Sequence, residues 1–508
     1  MTGWEDLTAT ALLGTARRAV DLTGLPEPVA VAAGAPGDRD PATTLLDAAA
    51  LAVPYRRAGR RPAVPAVTPG EAAPDDDVPE IGPAASARLA SLTSVPQGPT
   101  ERLLLVEWLG AAAAAGRGLP PRALPVLLDL ATRDAGVAAT LGPVLGSRGR
   151  WLAAYRPDWA RLLTAGDPAP GDGVPADPAA LWATGVTGER RTLFARLRTA
   201  DPDLARELLT GSWGRETVED REAFLDALAP TLSPADEPLL ETALDDRRTS
   251  VRERAVPLLQ RLPGSAYARR AAERARPVVL ARTERSGTTL AVAPPAAVDR
   301  AAVRDGVRVK PPLGTGERAW WARQVVAAAP LSLWPALTGL PVERLVRSEV
   351  ADGWRDVLLG AWTDAAVAQR DRAWARALLG VAAFGPDGPR LVRVLDRGDR
   401  AGYVAAAVGD HLHRPSHATT DLLAACPGPW PDVLADRVAA WLVRPAGPAD
   451  DWTVRERLRL AAHRLPVHHA AALSAAAARQ AGDSPWRAAL SALSDTLSFR
   501  HDMLEELR

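Results

Sequence analysis

The sequence almost lacks several of the twenty amino acids. Among 508 residues there is one cysteine (Cys426), one lysine (Lys310), one isoleucine (Ile81) and no asparagine. A single cysteine excludes an internal disulfide and a cysteine-based zinc site. Arginine supplies nearly all of the 61 basic residues, and 61 acidic residues balance them. The scarce types have AT-rich codons, so a GC-rich genome explains the arginine content. The balanced charge predicts no general attraction to polyanions.

Features of exported and membrane proteins are also missing. Glu5 and Asp6 stand where a signal peptide would carry positive charge. No apolar run approaches the roughly 18 residues that cross a bilayer. The apolar fraction of 47% and the charged fraction of 24% are those of a folded protein. We therefore expect a soluble, cytoplasmic chain with no membrane partner.

The sequence does contain a succession of amphipathic helical segments. In the clearest one, Ser250 and Glu253 have the spacing of a capping box. The apolar residues that follow recur at helical spacing and form one stripe: Val251, Ala255, Leu258, Leu259 and Leu262. Pro263 and Gly264 end the helix. A helix this short needs neighbours along its stripe, as in a helical-repeat protein.

This pattern predicts an all-α fold, a HEAT-like α-solenoid in two parts joined by a short extended connector. The predicted divisions are a helical segment over 1–60, a mobile loop rich in proline and aspartate over 61–99, HEAT-like repeats over 100–280, the extended connector over 281–316 and C-terminal repeats over 317–508. The connector is placed by β-like residues between proline pairs, which interrupt the helical periodicity.

A short motif recurs in both repeat regions. The segment 251–254 reads VRER and is followed, after six residues, by Arg-Leu-Pro; the segment 454–457 repeats both features. An aspartate pair precedes each copy. The recurrence indicates that the same helical unit builds both regions.

That unit resembles HEAT repeats, through Asp246, Arg252 and the apolar stripe described above. Pro257 departs from the pattern, because proline inside a helix removes one hydrogen bond. In HEAT repeats an aspartate and an arginine form a ladder between successive units. The resemblance therefore implies structural ladder roles for Asp246, Arg252 and the equivalent Arg455, each arginine paired with an aspartate of its own or the neighbouring unit.

The whole chain is also similar to a family of unknown function found largely in high-GC bacteria. The similarity rests mainly on 4–17 (WEDLTATALLGTAR), 149–152 (GRWL) and 316–321 (GERAWW). The family has no established reaction and implies no chemistry. Its members resemble, in their gene neighbourhood, proteins that are encoded near AAA+ ATPases and von Willebrand A-type proteins. This resemblance implies an accessory role in an assembly system.

No catalytic, cofactor-binding or metal-binding motif stands out. His411, His413 and His417 lie close in sequence, but a helix that aligned them would have to run through Pro415. The pair His468-His469 has no neighbouring carboxylate in the sequence. These histidines are interpreted as surface or turn residues, and no metal or cofactor is expected.

Positive charge is the strongest functional signal. The segment 247–276 carries nine arginines and only two glutamates. Six of these arginines are candidates for binding an anion or a partner: Arg247, Arg248, Arg254, Arg269, Arg270 and Arg274. The alternative is that nearby acidic residues neutralise them, as they would in a ladder.

Two functions from different classes follow. The first is a non-enzymatic scaffold or adaptor that binds another protein along a helical groove, possibly within an AAA+ or von Willebrand A-type system. The second is a HEAT-like nucleic-acid-binding protein or DNA glycosylase-like enzyme, favoured by the arginines and by 16 tryptophans, which can stack on bases. The tryptophans of 320–374 are instead interpreted as core bulk.

Overall fold

A computed structural model describes residues 2–34, 40–58, 72–73, 75–76, 78–94, 98–165, 174–284, 287–382, 385–414, 416–445 and 448–508. These residues contain 29 α-helices and three short strands, which confirms the predicted all-α class. None of the helices in this part of the chain is long and apolar enough to cross a bilayer. The chain divides into two compact units, Met1–Ala72 and Ala73–Arg508.

The first unit contains three helices. They are α1 (Thr2–Leu13), α2 (Glu27–Ala33) and α3 (Pro41–Ala58). Both α1 and α2 pack on α3. The small core that they share consists of Leu7, Leu25, Val29, Ala33, Leu45, Ala48 and Ala52.

The second unit begins with thirteen helices. They are α4 (Pro83–Ser94), α5 (Pro99–Ala114), α6 (Leu124–Ala131), α7 (Ala135–Leu141), α8 (Gly146–Ala153), α9 (Pro157–Ala165), α10 (Pro178–Thr184), α11 (Thr187–Ala200), α12 (Pro202–Ser212), α13 (Val218–Leu228), α14 (Glu237–Leu244), α15 (Thr249–Gln260) and α16 (Ala266–Ala275). Helix α4 lies inside the predicted loop over 61–99; residues 61–71, 74, 77 and 95–97 of that loop lie outside the described residues.

The predicted connector contains a hairpin and a short helix. Strands β1 (Val279–Glu284) and β2 (Gly287–Val292) pair antiparallel, with Ala281 opposite Leu290. Helix α17 (Arg300–Arg304) follows. Strand β3 (Glu349–Val350) later adds to β2 in parallel. Val279 and Leu290 are buried in the core of the following helices, so the connector is part of the packed structure.

Twelve further helices complete the chain. They are α18 (Glu317–Ala328), α19 (Leu333–Thr338), α20 (Val342–Leu345), α21 (Arg355–Gln369), α22 (Arg372–Ala382), α23 (Gly388–Val394), α24 (Arg397–Val408), α25 (His417–Ala425), α26 (Asp432–Val443), α27 (Trp452–Arg464), α28 (Ala470–Ala478) and α29 (Pro485–Glu505). Their core contains Trp334, Trp362 and Trp374. The centre of the Trp362 ring lies 6.3 Å from that of Trp334 and 5.3 Å from that of Trp374. These tryptophans therefore supply core bulk, as the sequence indicates.

In the second unit, alternate helices pack on one another in chain order. The succession of contacts is α5, α7, α9, α11, α13, α15, α21, α23, α25, α27 and α29. The intervening helices α12, α14, α22, α24 and α28 pack on members of this series, whereas α26 packs on α24 and α28. This is the stacking expected of a solenoid, in which each helical unit buries its apolar face against its neighbours.

The last helix of this series also packs on the first. Helix α29 contacts α5, and Met503 and Leu507 are buried beside Leu89 and Trp108. The helix contacts thus form a closed series, which we call the helical circuit. An open solenoid needs a capping repeat with a polar outer face at each end, whereas here α5 and α29 cover each other.

Two arginine–glutamate pairs join the ends of the helical circuit. Arg500 donates from Nε and Nη2 to the carboxylate of Glu107 at 2.7 and 2.6 Å, and from Nη1 to the carbonyls of Ala462 and Leu465. Its side chain is only 3% exposed. Arg88 makes a second two-pronged pair with Glu506. Charge-assisted pairs with this fork geometry are strong and directional.

The single cysteine gives a simple test of the packing. Cys426 is 2% exposed, and burial raises the pKa of its thiol to about 11. Because the thiolate is the reactive form, we expect an aromatic disulfide reagent at pH 8 to leave the native protein unmodified. It should modify one thiol per chain in urea. Rapid modification of the native protein would contradict the burial of this helix end.

Candidate partner-binding surfaces

Three arginines hold the same position in successive helices of the circuit. Arg190, Arg221 and Arg252 are the fourth residues of α11, α13 and α15 and are spaced by 31 residues. Arg190 donates to the carboxylate of Glu216. Arg221 donates to the carbonyl of the same Glu216 at 2.8 Å, and its Nε lies 2.9 Å from the carboxylate of Asp246. Each acidic residue therefore joins two successive units, as in a ladder.

Arg252, at the next position of this series, makes different contacts from those that the sequence predicts. It donates to the main-chain carbonyl of Asp246 at 2.6 Å and to the hydroxyl of Thr249 at 3.0 Å, while the carboxylate of Asp246 faces Arg221. Helix α15 also begins at Thr249, one residue before the predicted cap. The aspartate thus pairs with the arginine of the preceding unit. A ladder role for Arg252 stays a prediction.

In the second VRER copy the buried arginine is Arg457. Arg455 is exposed, with no acidic partner among the described residues. Arg457 is fully buried and donates to the carbonyls of Leu412, Arg414 and Ser416. Arg464 likewise donates to the carbonyls of Leu423, Ala424 and Cys426 at the C-terminal end of α25, a favourable position for a cation.

Three of the six candidate binding arginines are paired with carboxylates. Arg270 and Arg274 both bind the buried carboxylate of Asp305, and Arg270 also contacts Glu241. Arg304 also contacts Glu241 and binds the carboxylate of Asp245. The hydrogen bond from Arg304 lowers the pKa of the Asp245 carboxyl. Arg254 pairs with Asp226 and Glu222 on α13. These contacts neutralise much of the local positive charge.

The other three candidates are exposed but separated. Arg247 and Arg248 precede α15, whereas Arg269 lies in the first turn of α16. The short link between these helices makes them an antiparallel hairpin. Arg269 therefore lies near the C-terminal end of α15, whereas Arg247 and Arg248 lie at its N-terminal end. The 12 residues of α15 span about 18 Å. Arg276, at the end of α16, returns to the side of Arg247 and is also exposed.

The first unit carries an apolar surface that the sequence interpretation did not identify. Of the large apolar side chains that the structure describes in this unit, seven are exposed: Leu12, Leu13, Val31, Leu46, Leu51, Val53 and Tyr55. Leu12 is 83% exposed and Leu46 is 68% exposed. Concentrations of exposed apolar residues mark protein-interaction sites more often than single ones do. The missed signal was the apolar run in α3, which has no polar face.

One pocket on this unit combines apolar and basic side chains. Trp4, Val53, Arg56 and Arg57 line about 190 Å³. The guanidinium carbon of Arg56 lies 5.1 Å from the centre of the Trp4 ring, a cation–π contact. Tryptophan and arginine are the residue types most enriched at interface hot spots. We call Trp4, Val53, Arg56 and Arg57 the N-terminal pocket.

His463 is the most strongly perturbed histidine in the described chain. Burial, with the charges of Arg500, Arg459 and Arg464, lowers its pKa to about 4, against a small opposing effect of Glu101. Neither ring nitrogen has a hydrogen-bond partner in the described part of the chain. The surroundings are cationic and closed, which suits a neutral packed imidazole rather than an acid–base catalyst.

This imidazole should make stability depend on pH. In the unfolded chain its pKa is about 6.5, so between pH 6.5 and 4 the unfolded state binds a proton that the folded state does not. Stability should therefore fall as pH is lowered through this window. We expect His463→Gln to flatten the change in urea midpoint between pH 7 and 5, whereas His501→Gln, at an exposed position, should leave it unchanged. An equal change in wild type and His463→Gln would contradict the assignment.

Five of the six other histidines form two groups. His411 and His413 lie in a 3-10 turn, and His417 begins α25 and stacks on Trp452 at 5.0 Å. The structure does not bring these three together as ligands. It does bring Asp436 of α26 to the pair His468-His469, which had no visible carboxylate partner in the sequence.

Comparison with known proteins adds a family but no activity. No curated protein matches the sequence. One family model matches residues 6–507, nearly the whole chain, so the match includes the helical circuit and, of the N-terminal pocket, every residue but Trp4. The chain therefore belongs to DUF5691, a family of unknown function.

Proposed function

We propose that this chain is a non-enzymatic scaffold that binds another protein through the N-terminal pocket and the apolar surface around it. The observation that carries this proposal is the exposure of seven large apolar side chains on a unit of three helices. The HEAT-like stacking of the second unit would then serve as a rigid frame. In this proposal the protein acts in the cytoplasm.

The composition of the pocket defines the partner. Trp4 and Val53 offer apolar area, and Arg56 and Arg57 offer two cations. These features complement an amphipathic helix with one apolar face and flanking carboxylates. A component of an AAA+ or von Willebrand A-type assembly is the first partner to test, because of the family's setting.

The experiment is affinity capture from native lysate at physiological salt, followed by reconstitution with the purified partner. Val53→Asp and Arg57→Glu should each weaken binding at least about tenfold, the effect of losing a hot-spot contact. Val126→Asp is the matched control, because Val126 lies on α6 and is 38% exposed, against 37% for Val53. Recovery of no protein, or equal binding by all variants, would contradict the proposal.

Nucleic-acid binding remains a second proposal, supported by specific exposed cations. Arg247, Arg248 and Arg276 are exposed and have no acidic partner among the described residues. If they contact phosphates, binding should weaken with salt at a slope of roughly −0.9 per phosphate for duplex DNA. Arg247→Glu with Arg248→Glu should abolish it. Absence of any binding to DNA or RNA at low salt would remove this proposal.

A further inference from the structure

Three potential metal ligands meet between α26 and the turn before α28. Asp436 lies on α26, and His468 and His469 end the 3-10 turn Val467–His469. One ligand atom from each residue lies within 4.8 Å of the other two. The two imidazole rings lie 4.2 Å apart at an angle of 39°, so both project from the same side of the turn.

The distance between two of these ligand atoms suits a small cation. Nε2 of His469 is 3.5 Å from Oδ1 of Asp436. In a tetrahedral site with bonds of about 2.0–2.1 Å, two ligand atoms lie about 3.3–3.4 Å apart. Nε2 of His469 is also buried and makes no hydrogen bond to any residue that the structure describes. A buried ring nitrogen that faces a carboxylate oxygen without a hydrogen bond is unsatisfied, and a cation between the two atoms would satisfy both.

We propose that Asp436, His468 and His469 bind a divalent transition-metal ion of the zinc type. Two imidazoles and one carboxylate form a ligand set that zinc accepts, with its remaining positions open to water. Magnesium and calcium prefer oxygen ligands throughout, so the two imidazoles select against them. The charge of Asp432, one turn before Asp436 on α26, also acts on His469 and adds to the negative potential at this position.

The bound ion would connect two successive units of the helical circuit. Asp436 belongs to α26, whereas the histidines belong to the turn that starts α28. Because the ligands come from different units, the ion can bind with full affinity only to the folded chain. Zinc should therefore stabilise the native state by mass action.

The test is titration of the full-length, metal-free protein with Zn²⁺ by isothermal calorimetry at pH 7.5, with Mg²⁺ in parallel. We expect one zinc site and no magnesium binding. Asp436→Asn should weaken zinc binding at least about tenfold, since loss of even an outer-shell group costs this much. At a free zinc concentration of one hundred times Kd, the Tm of the second unit should rise by about 3 °C.

Two variants keep the result interpretable. His469 is largely buried, so His469→Ala could perturb folding, but Asp436 is exposed and its replacement by asparagine preserves shape. His501→Ala removes an exposed histidine elsewhere and should leave the affinity unchanged. Absence of zinc binding, or an affinity that Asp436→Asn leaves unaltered, would overturn the site.

Discussion

Replacement of Asp236 by alanine is expected to lower the free energy of unfolding by about 3–5 kcal/mol. The side chains of Asp236 and Arg198 are 0% and 1% exposed. Arg198 donates from both Nη atoms to the two carboxylate oxygens at 2.8 Å, and from Nε and Nη2 to Thr231. Removal of the aspartate would leave a guanidinium buried without a counter-charge.

Urea unfolding followed by circular dichroism measures this effect as a lower midpoint. The control is Asp399→Ala, because Asp399 is 46% exposed and its partner Arg376 is 60% exposed. That variant should change stability by less than about 1 kcal/mol. The double variant Arg198→Met with Asp236→Leu should recover much of the loss, since apolar residues of similar volume can replace a buried ion pair. If Asp236→Ala unfolds like wild type, this pair is not buried as described.

Replacement of Arg500 by alanine is expected to cost about 2–4 kcal/mol and to loosen two helices that are far apart in sequence. Glu107 would lose both of its hydrogen bonds, and the carbonyls of Ala462 and Leu465 would lose their donor. Glu107 is 27% exposed, so water compensates part of the loss.

Hydrogen exchange followed by mass spectrometry shows where this loss acts. Exchange should become faster in α5 and in the end of α27 together. Arg487→Ala is the matched control, because Arg487 lies on the same helix and is exposed. It should leave exchange in both helices unchanged. Faster exchange confined to α29 would mean that the ends of the helical circuit are not coupled.

Local periodicity was enough to predict the helices. Val251, Ala255, Leu258 and Leu259 form one apolar stripe in the sequence, and all four are buried in the structure. Ser265 caps the next helix by accepting a hydrogen bond from the amide of Ala268 three residues later. These features depend on neighbours within a few residues, so a single sequence contains the information.

The arginine–acid ladder between successive helical units could be predicted only in part from the sequence. The VRER motif points to the aspartates near Arg252, but the acid that lies against Arg221 comes from the next unit. The 31-residue spacing of Arg190, Arg221 and Arg252 was present in the sequence and identifies the repeat directly. Partners across units depend on how the units stack, and no local rule supplies that.

The contacts that are most distant in sequence could not be predicted. Arg500 and Glu107 are separated by 393 positions, and no motif marks them as partners. Asp436 and His469 likewise come from different helical units. The N-terminal pocket was missed for another reason, because its apolar residues look like ordinary core residues until their exposure is known.

The closure of the helical circuit is the central structural claim, and a distance between α5 and α29 tests it directly. Spin labels at Leu103→Cys and Asp502→Cys would occupy exposed positions on the two helices, while the buried thiol of Cys426 stays unlabelled. Packed helices have axes about 8–10 Å apart, so pulsed electron paramagnetic resonance should give a distribution centred below about 25 Å. In an open stack the ten intervening steps of about 10 Å would separate the labels by up to about 100 Å. A main distance beyond about 50 Å, half of that open span, would contradict closure.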